Sequence, residues 1–255
     1  MKNNSNNYHP VSAVAFSLVV VFILPIITAI LIGVSYSFLG TSGTDSAFEV
    51  WMQQNPVEVS ILSDEKTIIS PVESAVSYLL TVPLQIWFIF WLLRRRKIDL
   101  SKNLGLYHFN RNALIYSLVA YLILYLVLTA YSYAFQISPP EEFIKLMQAT
   151  PFVLNFLMVV IGAPIVEELL FRGFLFSQLK TTKLGINGSI ILTSLIWTSI
   201  HLQYDLFLLI PIFLLGLLLG YLMHKYNSLY LVIIVHAVHN LQATLFIEFF
   251  YDYFY

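Results

Sequence analysis

The sequence predicts an all-α fold, a polytopic transmembrane helix bundle of about seven spans with its N-terminus in the cytoplasm. Three observations predict it. Hydrophobic residues make up 58% of the 255 positions and charged residues only 11%, against about 25% charged in soluble domains. The charges are clustered and leave apolar runs of roughly 20 residues, enough for a helix to cross a hydrocarbon core of about 30 Å. Basic residues gather at one set of ends of these runs, the pattern that fixes membrane orientation. The same composition excludes other classes. No basic, aromatic-interleaved surface segment offers nucleic acid a footprint. The absence of cysteine removes disulfides, thiolate metal sites and a cysteine nucleophile.

The elements follow in order. Residues 1–10 are polar, with Lys2 the one basic side chain among them. The apolar run 11–39 is too long for a signal-peptide core and reads as a retained first span. Further spans read at 73–93, 112–136, 151–176, 186–204, 206–223 and 228–250. Only Gln203, Tyr204 and Asp205 separate the fifth from the sixth. The loop 40–72 carries Trp51, Met52, Val57, Val59, Ile61 and Leu62, which suit either a short helix lying at the interface or an ordinary loop. No internal repeat or low-complexity tract breaks the chain, so it reads as one membrane domain.

Orientation rests on lysine and arginine. Arg94, Arg95, Arg96, Lys97, Lys102 and Arg111 follow the second span, Lys180 and Lys183 the fourth, and Lys225 the sixth. Lys2 joins them on that side, and only Lys66 and Lys145 fall on the other. The opposite side holds Asp45, Glu49, Glu58, Asp64, Glu65, Glu141 and Glu142. The cation-rich side is therefore expected to be cytoplasmic.

A charge inside a span costs about 3 kcal/mol or more at the centre of a lone helix, so it needs a reason. The fourth span places Glu167, Glu168 and Arg172 within six residues of apolar sequence. Glu168 and Arg172 stand at i and i+4 and pair on one face. Glu167 is rotated by about 100° from its neighbour and faces elsewhere. One carboxylate is thus tied to arginine and the other is free, a division that suits a structural anchor beside a general acid or base. A plain buried ion pair accounts for Glu168 and Arg172 equally well. It does not account for Glu167. Pro164 lacks an N–H and should kink the helix one turn before Glu167.

The fifth span supplies Trp197 and His201, one turn apart. The seventh supplies His236 and Asn240, also at i and i+4, whose converging side chains can act as donors to a developing oxyanion. A polar contact between helices is the bland alternative for that pair, and His239 reads as a structural neighbour. Depth links the three spans. At a rise of about 1.5 Å per residue, Glu167 lies ~14 Å from the end of its span and His236 ~12 Å from the start of its own. His201 falls ~16–22 Å deep on the same arithmetic, so all three share roughly one layer.

Glu167-Glu168-x-x-x-Arg172 resembles the EExxxR motif of the CPBP membrane peptidases. That family includes type II CAAX prenyl proteases and Abi-like bacterial proteins linked to bacteriocin processing or self-immunity. His236-x-x-x-Asn240 resembles its HxxxN motif. The middle motif, usually FxxxH, is here Trp197-x-x-x-His201, with the aromatic ring kept. The resemblance covers roughly 150–245 and makes 151–250 the expected catalytic core, with spans and loops of variable role in 1–150. It implies a polar cavity open to the cytosol in which Glu167 activates water, assisted by His201. His236 and Asn240 would stabilise the oxyanion, while Glu168, Arg172 and Trp197 would brace the site. The expected mechanism needs no cofactor. The alternative is zinc held by Glu167, His201 and His236, a three-ligand open site.

The expected partners are a peptide or protein substrate, membrane-associated or prenylated, and the lipid bilayer. Other intramembrane protease classes fit poorly, since the chain has no HExxH and no paired intramembrane aspartates. Two readings from other classes remain: a non-catalytic self-immunity or peptide-binding protein on the same scaffold, and a proton-coupled transporter. Transporters commonly show two related halves, which this sequence lacks.

Overall fold

A computed structural model describes residues 8–28 and 71–251, and every regular element among them is helical. The elements are α1 (Pro10–Thr28), α2 (Pro71–Arg95), α3 (Leu100–Leu104), α4 (Arg111–Phe135), α5 (Glu141–Ala149), α6 (Phe152–Leu179), α7 (Gly185–Ser199), α8 (Leu206–Tyr226) and α9 (Leu229–Phe249). The end of the predicted first span and the loop 40–72, with its interfacial helix, lie outside the described residues.

Six of the described helices, α1, α2, α4, α6, α8 and α9, are long and apolar enough to cross a bilayer. The predicted fifth span is shorter than its sequence suggests. α7 has 15 residues, roughly 22 Å of helix, and stops at Ser199. Its last hydroxyls turn back on their own backbone, Thr198 to Ser194 O at 2.8 Å and Ser199 to Ile196 O at 2.6 Å. His201 consequently lies on the turn after the helix rather than on it. Asp205 then starts α8 by accepting from Leu208 N at 2.9 Å, an N-cap that satisfies one of the free amides of a first turn. Two helices go beyond the sequence reading: the short α3, and α5, which begins at Glu141 and Glu142 and buries Ile144 and Met147 against Ile247.

Lipid and protein faces divide as a bilayer requires. α4 exposes Ile115, Tyr116, Val119, Leu122, Ile123, Leu126 and Val127. Its backbone is satisfied within the helix, the only way a lone segment can sit in hydrocarbon. The core gathers instead around the second half of α6. Leu170, Phe171, Phe174, Leu175 and Phe176 are fully enclosed there with Ile89, Leu93, Leu219, Met223, Val232 and Val235.

Two packing details fix the site. α7 and α8 approach closely because Gly216 and Gly220 have no side chain. A methyl group at Gly220 would lie 2.9 Å from Ile190 Cγ2, and one at Gly216 3.1 Å from the Trp197 ring. Small residues at such crossings let membrane helices meet backbone to backbone. α6 itself changes register. Ordinary α turns at Ala163–Glu168 separate two stretches of wider π turns, Phe156–Gly162 and Leu169–Leu175. Wide turns of this kind are rare and often accompany functional sites.

Candidate active site

α6 presents its two glutamates to different surroundings. Glu168 is fully buried, and its Oε1 accepts from Arg172 at 2.9 Å and from His236 Nδ1 at 2.9 Å. Arg172, also fully buried, donates through its second amino group to Gly216 O at 3.1 Å. Its guanidinium carbon lies 4.7 Å from the centre of the Trp197 ring. The pairing expected at i and i+4 is therefore present, and it ties α6 to α7, α8 and α9 at once. Removing either charge would strand the other without water.

Glu167 is only partly buried. Its Oε2 accepts one side-chain hydrogen bond, from Trp197 Nε1 at 2.6 Å. Trp197 is the hub of the cluster. Its ring stands edge-on to His201 and to His236, both at 5.4 Å between centroids. Glu167, His201 and His236 thus all border one indole. The sequence suggested only a packing role for that ring; the indole N–H, which a phenyl ring lacks, reaches the carboxylate.

The hydrogen-bond partners fix the histidine tautomers. His201 Nδ1 lies 3.0 Å from Trp197 O. A carbonyl can only accept, so Nδ1 carries the proton and Nε2 is left with its lone pair. His236 donates its Nδ1–H to the Glu168 carboxylate for the same reason, and its Nε2 is likewise left over. His239 turns away from the cluster, toward Tyr121 OH at 3.3 Å, and that hydroxyl donates to Gln242 Oε1 at 2.8 Å.

Asn240 has a partner that the motif does not reveal. Its Nδ2 donates to Val159 O at 2.8 Å. In the wide stretch before Pro164, Ala163 N–H bonds to Met158 O, five residues back. The next bond in that register would run from residue 164 to Val159 O, and proline has no N–H to make it. The Asn240 amide takes its place. One of its two amide hydrogens is thus committed to α6, and the second is left for other chemistry.

Two tyrosines to which the sequence reading gives no part in the site belong beside the cluster. Tyr78 of α2 packs next to Gly162, where an added methyl would stand 3.4 Å from Tyr78 Cε1, and it feels the charge of Glu167. Tyr204 also feels that charge, and it stacks on His201 at 6.2 Å. Neither lies in a motif, and no spacing along the chain links them to α6. As for metal, among the described residues no three His, Cys, Asp or Glu side chains converge to hold an ion.

One comparison with known proteins covers the segment that carries the cluster. Residues 149–242 match the family model described as Type II CAAX prenyl endopeptidase Rce1-like. That segment begins at the end of α5 and runs into α9, so it holds every residue of the Glu167 cluster except Tyr78. No curated protein and no solved structure matches the chain. The chain is a multi-pass integral membrane protein, and its segment 149–242 is similar to the Rce1-like type II CAAX prenyl endopeptidases.

Proposed function

We propose that the chain is an intramembrane endopeptidase. It hydrolyses a peptide bond of a membrane-associated substrate, a prenylated protein or a peptide precursor, with water activated by glutamate. The observation that carries this reading is the contrast within one residue pair. Glu168 is sealed against Arg172 and His236, while Glu167 is half-open and holds a single hydrogen bond from Trp197.

The roles follow from what each group has left to offer. Glu167 keeps Oε1 for a water proton, as a general base must. His201 presents Nε2 as a proton acceptor beside it. His236 can donate to the oxyanion through Nε2 only when its ring carries both protons, and the Glu168 carboxylate at Nδ1 is the counter-charge such a ring requires. Asn240 contributes its second amide hydrogen to the same oxyanion. No step passes through a metal. The cation-rich ends of the spans favour a site opening toward the cytoplasm.

The test is cleavage of a peptide library, including prenylated and leader-like members, by purified protein in lipid nanodiscs. Cleavage should be lost in Glu167→Gln and unchanged by a chelator. Wild-type cleavage by the variant would end the glutamate account, and loss with chelator would replace it with a metal-dependent one. No cleavage of any member by wild-type protein would instead favour a peptide-binding or self-immunity role on the same scaffold.

A further inference from the structure

A second site lies at the arginine-bearing end of α2. A cleft of about 480 Å³ opens there, lined by Tyr8, Phe16, Trp91, Leu92, Arg95 and Arg96. It shares no residue with the Glu167 cluster. Its volume falls in the range of small-molecule sites, about 300–1,000 Å³. We infer that this cleft binds the phosphate of an anionic lipid headgroup.

The walls are preformed. Tyr8 is fixed at both ends, its amide donating to Gln178 Oε1 at 3.0 Å and its hydroxyl to Leu92 O at 2.9 Å. Its ring meets Phe16 edge-on at 5.2 Å. Trp91 is stacked on Phe88 at 5.5 Å. Each aromatic wall carries a guanidinium: Arg96 stands 4.8 Å over Tyr8, and Arg95 4.8 Å over Trp91. A guanidinium resting on an aromatic ring and not paired with a carboxylate has N–H groups to offer the oxygens of a phosphate. Among the described residues no carboxylate pairs with either arginine. The nearest acid in sequence, Asp99, is occupied as the cap of α3, accepting from Lys102 N at 3.1 Å.

Depth selects the source of the phosphate. Arg95 and Arg96 follow the last apolar turn of a transmembrane helix, the level at which long basic side chains and tryptophan meet headgroups. Phe16 and Trp91 give the cleft an apolar side, suited to the glycerol and first methylenes of a lipid and of no use to free phosphate. Orientation by the positive-inside rule asks only for basic charge near the end of a span. It does not ask for two guanidiniums mounted on aromatic rings around one cavity.

Native mass spectrometry of the full chain tests this, with phosphatidylglycerol or phosphatidylcholine titrated into detergent. Phosphatidylglycerol should be retained at least about tenfold better, since two basic side chains at about 1 kcal/mol each together exceed the roughly 1.4 kcal/mol that a factor of ten requires. The double variant Arg95→Gln/Arg96→Gln should lose that preference. Arg94→Gln/Lys183→Gln, which removes the same charge outside the cleft, should keep most of it. Phe16→Glu, which puts a carboxylate in the lining of the cleft, should lose it with both arginines intact. Equal losses in the two double variants would mean diffuse charge attraction and overturn the inference. So would equal retention of the two lipids, or displacement of bound lipid by inorganic phosphate at matched concentration.

Discussion

The two halves of α6 differ more than their shared apolar composition suggests. From Glu168 to Phe176 every side chain is buried, and the charges of Glu168 and Arg172 are matched inside that seal. From Phe156 to Glu167 buried and open positions alternate, and α6 is held there by Asn240 and Trp197 from neighbouring helices. The sealed half acts as an anchor. The open half carries the carboxylate able to meet a substrate. Adjacent glutamates in one helix therefore answer to different physics: the first to access, the second to the cost of an unmatched buried charge.

The largest expected effect breaks the anchor. Arg172→Ala leaves the Glu168 carboxylate buried without its cation, and thermal unfolding in detergent should show a loss of roughly 3–5 kcal/mol. A variant as stable as wild type would mean that Glu168 is not held as described. Trp197→Phe probes the open half. It keeps a ring beneath Arg172 and removes the one side-chain donor to Glu167 among the described residues. A charge-assisted hydrogen bond contributes about 1.5–3 kcal/mol, so kcat should fall by about tenfold or more with KM little changed. A rise in KM at constant kcat would assign Trp197 to substrate binding instead. Smallest is the effect of Asn240→Ala on stability, roughly 0.6–1.7 kcal/mol for a hydrogen bond between membrane helices. Pro164→Ala restores the N–H that the amide replaces, so the double variant should recover most of that loss. Additive losses would show that the two residues are not coupled.

Much of this arrangement was legible in the sequence. The spans followed from apolar length, and the pairing of Glu168 with Arg172 followed from helical spacing. The end of α7 was not legible, because 186–204 reads as continuous apolar sequence while the helix stops at Ser199. α5 was passed over because only nine residues of amphipathic helix lie between two strong spans. The partners of Trp197 and Asn240 were hidden for a different reason. Both depend on the register of α6, and a switch from α to π turns leaves no periodic trace in composition. Tyr78 was invisible because α2 reaches the cluster only through tertiary packing.

The division of labour between the two glutamates is tested most directly by exchanging each for glutamine and measuring unfolding and peptide cleavage on the same preparations. Glu167→Gln should unfold within about 1 kcal/mol of wild type, as expected of a position away from the buried network, and cleave at least a hundredfold more slowly. Glu168→Gln should lose several kcal/mol of stability. If Glu167→Gln cleaves normally, or if Glu168→Gln is the variant that stays stable while losing only activity, the assignment of anchor and base is contradicted.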